Sequence, residues 1–151
     1  MTVIQAEVSK AVAAPVPPAL VRDVLGRAAD VPEIAARLGP DPATVAVRIT
    51  GDRELRRLNR EFAGDDHATD VLSFAGSGAH LGDLAISWSM VKRQAEAHGQ
   101  PDSTELALLC VHGLLHLLGW DHATPAERRE MTRLTRAVLR LSKISLAPGR
   151  L

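Results

Sequence analysis

The sequence predicts an α+β fold, in which a small mixed sheet of about four strands is covered by helices. Two observations favour this class. Short stretches rich in β-branched and aliphatic residues alternate with helix-period patterns, and the helical patterns are concentrated late in the chain. The length of 151 residues and the hydrophobic content of 46% suit one sizeable core. We therefore expect residues 1–151 to form a single domain.

Composition limits the classes of protein to which the chain can belong. The 18 basic and 18 acidic side chains cancel, so no net charge draws the whole chain to nucleic acid. Residues 127–151 nevertheless hold seven basic and two acidic side chains, which predicts a basic patch. The single cysteine, Cys110, excludes an internal disulfide and is expected in the core. Because neither a signal peptide nor a membrane-spanning run is visible, we expect a cytoplasmic protein without a membrane partner.

The first half of the chain combines two strand patterns with a helical segment. Aliphatic and β-branched residues predict a strand at 2–8, and a proline-rich connector follows it. Apolar residues then recur at helical spacing from Ala19 and continue beyond Pro32. The glycine and prolines of 39–42 end this segment, and residues 45–49 alternate as a half-buried strand does.

Another helix is expected after Gly51, with Asp52 as its cap. Its apolar spacing points Leu55, Leu58 and Phe62 inward. The outer face is basic, and the favoured interpretation is a solvated surface rather than a nucleic-acid surface. It is formed by Arg53, Arg56, Arg57 and Arg60.

Two strands are predicted in the middle of the chain. A polar loop at 64–67 precedes residues 69–74, whose apolar centre is typical of a central strand. The second strand covers residues 81–87, after a glycine-rich turn at 76–78. Because the connection is so short, we expect the two strands to pair antiparallel.

Helices occupy the rest of the chain. One is predicted at 89–98, closed by the glycine that follows it, and a second at 103–118, capped by Asp102 or Ser103. Residues 124–127 form a capping box with proline at the first helical position, so a third helix begins there. The apolar stripe of this last helix consists of Met131, Leu134, Val138 and Leu141.

Three histidines in the second of these helices and the turn after it predict a metal site. His112 and His116 are one helical turn apart and leave the helix from the same face. Gly119 can adopt the left-handed conformation that ends a helix, so the chain can turn back and bring His122 to them. A buried histidine is more often a hydrogen-bonded core residue, but three at this spacing favour a metal. Three imidazoles leave a fourth position open, as in catalytic zinc sites.

The same histidine spacing occurs in the metzincin proteases, whose signature is H-E-x-x-H-x-x-G-x-x-H. Here Gly113 stands in the place of the glutamate base of those enzymes. Loss of a positioned acid–base group costs about 10²–10⁴-fold in rate, so peptide hydrolysis is disfavoured. Phosphodiester cleavage in RNA remains compatible, because the neighbouring 2′-hydroxyl can act as the nucleophile.

Four blocks of the sequence, taken in order, resemble the bacterial YbeY family. They are residues 58–62, 69–74, 81–87 and 112–122, which read LNREF, TDVLSF, LGDLAIS and HGLLHLLGWDH. The resemblance implies a zinc-dependent, single-strand-specific endoribonuclease. It further implies a role in ribosomal RNA maturation, notably at the 3′ end of the small-subunit RNA, and in ribosome quality control, with the small subunit as partner.

By this resemblance, His112, His116 and His122 bind one zinc ion and, with Asp121, form the catalytic set. Asp121 has two interpretations that remain open, since it either orients a ligand histidine or caps the turn after the helix. The family usually has tyrosine and then a functionally important arginine where this chain has Phe62 and Ala63. This departure keeps a second hypothesis open, that of a ribosome-assembly or RNA-binding factor with a mainly structural metal. A metallohydrolase of peptides or small molecules is the lesser alternative.

Overall fold

A computed structural model describes residues 3–64 and 69–151, with the backbone alone described at Ala63. Three residues of the predicted polar loop, including His67, lie outside these ranges. The strands are Ile4–Lys10 (β1), Ala43–Thr50 (β2), Val71–Ser77 (β3) and His80–Ser87 (β4). The helices are Pro18–Ala28 (α1), Pro32–Ala35 (α2), Asp52–Leu58 (α3), Trp88–His98 (α4), Asp102–Leu117 (α5) and Pro125–Leu141 (α6). A π-helical turn at Asn59–Ala63 extends α3.

The four strands form one mixed sheet in the order β1-β2-β4-β3. β1 and β2 pair in parallel, as do β2 and β4, whereas β3 pairs antiparallel with β4. The prediction of a four-stranded α+β fold with an antiparallel pair is therefore confirmed. The prediction that residues 69–74 form a central strand is wrong, because β3 lies at the edge of the sheet. This strand is apolar because α5 packs against it, and the Ser73 hydroxyl donates to the Gly113 carbonyl of that helix at 3.4 Å.

Helix α5 lies at the centre of the molecule. It contacts α1, α4 and α6 as well as strands β3 and β4. Residues 106–111 are all buried, including Cys110, together with Leu114 and Leu115. A helix that is apolar nearly all round must be covered on all sides, which this packing achieves. Cys110 is a core residue as predicted, and burial raises the pKa of its thiol to about 12.

Two predicted caps differ from the observed ones. Asp52 is the first residue of α3 rather than its cap, and its carboxylate instead accepts from the Ser87 hydroxyl and, at 2.9 Å, from Arg93. Pro101 precedes α5 in place of the predicted Asp102 or Ser103, and no side chain in the described ranges caps that helix. The capping box of α6 is confirmed, since Thr124 and Glu127 exchange both of its hydrogen bonds.

Two residues expected inside lie at the surface. Phe62 is 67% exposed because the π-helical turn shifts the helical period, and its ring meets Phe74 edge to face at 5.6 Å. Leu141 is 41% exposed at the last turn of α6, where Leu139 is buried instead. Among the described helices, none combines the length and apolar character needed to cross a bilayer.

Candidate metal centre

The leucine-rich helix α5 determines the direction of its two histidines. Positions 112 and 116 are separated by one helical turn, so both imidazoles leave the helix on one side. Both side chains are half-buried, between the fully buried apolar positions and solvent. The hydrophobic packing of α5 therefore fixes the placement of the two histidines.

The turn after α5 brings the third histidine to the first two. Gly119 has a φ of 97°, in the left-handed region predicted for it. The Trp120 amide donates to the Leu115 carbonyl at 3.0 Å, and the Gly119 amide donates to the His116 carbonyl at 3.0 Å. These bonds reverse the chain as a glycine-terminated helix does. The ring centroids of His116 and His122 then lie 5.0 Å apart, with an interplanar angle of 69°.

Three ligand-type side chains converge at this turn. Ligand atoms of His116, Asp121 and His122 all lie within 4.8 Å of one another. His112 lies outside that group but lines the same cavity, of about 230 Å³, with the other two histidines. The rest of the cavity wall consists of Arg128, Met131, Thr132 and Leu151.

The α5 histidines are neutral at physiological pH. The pKa of His112 is lowered to about 4, mainly by burial and then by the neighbouring Arg150 and His116. Burial is also the largest cause of the lowered pKa of His116, followed by the neighbouring His122. A neutral imidazole offers a nitrogen lone pair, which is the form that binds transition metals. The donor set therefore fits a divalent metal such as zinc.

Asp121 contacts its neighbour in two ways. Its Oδ1 accepts from the backbone amide of His122 at 2.7 Å and lies 3.9 Å from His122 Nδ1. The first contact organises the turn, and the second places a carboxylate near the imidazole. Both side chains are 62% exposed, so a metal at this turn is accessible from solvent.

Gly113 faces the sheet rather than the cavity. A Cβ added there would lie 2.7 Å from Cδ2 and 2.9 Å from Cδ1 of Leu84, which is buried in β4. Any larger side chain at position 113 would collide with the buried Leu84 side chain. A glutamate base at that position, as in the metzincins, is therefore incompatible with this packing.

The comparison with known proteins identifies the family. The family described as Endoribonuclease YbeY matches residues 6–143. The chain belongs to this family. Endoribonuclease YbeY of Chloroflexus aurantiacus is 48% identical over 111 residues, covering 65% of this chain and 72% of the relative. Endoribonuclease YbeY of Solibacter usitatus is 54% identical over 82 residues, covering 54% of this chain and 56% of the relative.

The fold is also similar to a solved structure. The solution structure of TM1509 from Thermotoga maritima matches with a TM-score of 0.58 and covers 100% of both chains. The sequences are 21% identical, so this match supports the fold alone. The resemblance to the YbeY family predicts a cleft arginine at position 63, and the side chain of Ala63 lies outside the described part of the structure.

One arrangement at the YbeY-type centre is not evident from the histidine motif. Arg150 donates two hydrogen bonds to Glu105 of α5, from Nε to Oε1 at 2.9 Å and from Nη2 to Oε2 at 2.6 Å, and the Glu105 side chain is fully buried. The next residue, Leu151, lines the histidine cavity. Glu105, directly before the apolar run of α5, was the signal in the sequence, because a buried carboxylate requires a partner.

Proposed function

We propose that this chain is a metal-dependent, single-strand-specific endoribonuclease of the cytoplasm that acts in ribosomal RNA maturation, notably at the 3′ end of the small-subunit RNA, and in ribosome quality control. Membership in the YbeY family makes it an RNA-cleaving hydrolase. The observation that carries the finer proposal is the convergence of three histidines on one cavity. The proposal includes the small ribosomal subunit as partner and a single functional domain over residues 1–151.

The proposed metal is one zinc ion held by His112, His116 and His122. When bound, such a metal acts as a Lewis acid that polarises a phosphoryl oxygen. The chain's own residues prepare the site for it, because burial keeps the α5 imidazoles neutral. Arg128 adds a cation to the cavity wall, where it can bind a phosphate oxygen of RNA. Met131 and Leu151 line the same cavity with apolar groups.

Cleavage of single-stranded ribosomal RNA, with and without a chelator, tests this function. We expect cleavage by the wild type, loss of cleavage on chelation and recovery when zinc is restored. His116→Ala should be inactive, and His98→Ala, which changes an exposed histidine at the end of α4, should remain active. Equal cleavage by both variants would remove the metal site from the mechanism. Cyclic phosphate ends on the products would assign the attack to the 2′-hydroxyl rather than to water.

The second candidate is a ribosome-assembly or RNA-binding factor with a structural metal, and alanine at position 63 is the observation that favours it. Ala63→Arg separates the two candidates. An increase in RNA cleavage on restoring the arginine supports the nuclease. If cleavage stays weak and chelation unfolds the protein, the assembly factor is favoured. The steric exclusion of a base at Gly113 argues against a peptidase.

A further inference from the structure

Helix α6 carries a basic groove that the metal site does not account for. Its wall contains five arginines, and its volume is about 830 Å³. We call this surface the arginine groove; it is formed by Arg128, Arg129, Arg133, Arg136 and Arg140. All five residues are exposed. At a rise of about 1.5 Å per residue, the arginines extend about 18 Å along the helix.

The arginine groove is continuous with the histidine cavity. Arg128 and Thr132 line both. The Arg128 guanidinium also lies 3.5 Å from the backbone carbonyl of His122, which places one end of the groove directly beside the third histidine. A chain lying in the groove therefore reaches the histidines without crossing another part of the surface.

The acids of α6 do not neutralise these arginines. Glu127 is used in the capping box, and Glu130 accepts from the Trp120 indole at 3.3 Å. Of the five arginines, Arg133 pairs with Glu33 at 2.7 Å. Within the described ranges, Arg129 and Arg140 form no ion pair. The groove thus retains a net positive charge.

The rest of the chain has the opposite charge. Residues 1–126 hold eleven basic and sixteen acidic side chains, against seven basic and two acidic in residues 127–151. A cluster of positive charge on a chain that is otherwise net acidic attracts a polyanion to that surface. Arginine side chains bind phosphate oxygens through paired hydrogen bonds, so the repeated arginines suit a repeated phosphate.

We propose that the arginine groove binds backbone phosphates of single-stranded RNA on one side of the scissile bond and guides the strand into the histidine cavity. This inference rests on the proposed function, which supplies the chemical class of the polyanion. Contacts to phosphate carry no sequence information, so the groove contributes affinity and register rather than base preference.

RNA binding as a function of salt concentration tests this proposal. The probe is a fluorescein-labelled single-stranded oligoribonucleotide, titrated by fluorescence anisotropy with the full chain carrying His116→Ala, so that the RNA stays intact. In that background, two double variants are compared. The α6 variant carries Arg129→Gln and Arg140→Gln, and the α1 variant carries Arg22→Gln and Arg27→Gln. The second pair removes the same charge from exposed positions of α1. Thermal melts verify that all proteins are equally folded.

We expect the α6 pair to reduce the slope of log affinity against log salt by about 1.4, because each phosphate contact to a single strand contributes about 0.7. The α1 pair should leave the slope unchanged. Equal slopes for the two pairs would overturn the proposal. RNA cleavage by the parent protein is measured separately. If the two double variants differ in slope but the parent does not cleave RNA, the proposed function alone is refuted. If the parent cleaves RNA but the two slopes are equal, the groove proposal alone is refuted.

Discussion

At the scale of single residues, Gly113 shows how closely α5 packs on the sheet. Gly113→Ala gains about 1 kcal/mol of helix propensity but forces a methyl group against buried Leu84, and overpacking of this kind costs about 1–3 kcal/mol. We expect the clash to dominate and to lower the free energy of unfolding by about 1 kcal/mol. Denaturant unfolding measures the change.

Gly26 provides the matched control. It also lies inside a helix, α1, but an added Cβ would make only an ordinary contact at 3.7 Å with the Ile4 carbonyl. Gly26→Ala should therefore stabilise the protein by up to about 1 kcal/mol. If both substitutions stabilised the protein, the packing account of Gly113 would be wrong.

Glu54 makes part of the stability depend on pH. The hydrogen bond from Arg48 is the largest cause that lowers the pKa of this carboxyl from its usual 4.5. The folded protein therefore holds the proton less tightly than the unfolded chain, so the stabilisation is complete above about pH 4.5 and is lost as the pH falls through the folded value. We expect the difference in unfolding free energy between wild type and Glu54→Gln to shrink in acid.

Urea unfolding at a series of pH values measures this difference. Glu96→Gln is the control, because Glu96 is exposed on α4 and forms no ion pair within the residues described. If the difference in unfolding free energy between wild type and Glu54→Gln stayed constant from neutral pH to well below 4.5, Glu54 would not be the source of the pH dependence.

At the scale of elements, the C-terminal segment is anchored to the start of α5. In addition to the Arg150–Glu105 pair, Gln100 donates to Glu105 at 2.8 Å and accepts from the Ala147 amide at 2.8 Å. Glu105→Gln leaves Arg150 without its countercharge in a largely buried position. Breaking a buried pair costs about 3 kcal/mol or more, so we expect a loss of about 3 kcal/mol in unfolding free energy.

The surface pair of Arg133 and Glu33 is the matched control for that prediction. Both side chains are well exposed, so Glu33→Gln should have a much smaller effect than Glu105→Gln. Denaturant unfolding of both variants gives the comparison. Equal losses would show that burial of Glu105 is not what makes its ion pair important.

Sequence alone predicts the elements whose signals are local. The capping box at Thr124 and the helix end at Gly119 depend on residues a few positions apart, and both predictions are confirmed. Asp52 fails as a cap because Ser87 and Arg93, far along the chain, bind its carboxylate. Phe62 is exposed because a π-helical turn changes the number of residues per turn. Apolar spacing that assumes a regular α-helix does not reveal this change.

At the scale of the whole molecule, the centre is assembled from the last third of the chain. α5 supplies two histidines, the following turn supplies the third with Asp121, and α6 and the C-terminal segment complete the cavity. The histidine spacing predicts the first two contributions. Arg128 and Leu151 could not be predicted from it, because their positions depend on how α6 and the C-terminal segment pack against α5.

His112 provides the most direct test of the central claim, that three histidines hold a metal on which RNA cleavage depends. It is the one of the three that lies outside the tight cluster of ligand atoms. The measurement is the metal-to-protein ratio of purified His112→Ala, together with its rate of single-stranded RNA cleavage. We expect the affinity for the metal and the rate of RNA cleavage both to fall by more than the roughly 10–100-fold that loss of an outer-shell partner costs. A variant that retained its metal and cleaved RNA at the wild-type rate would contradict it.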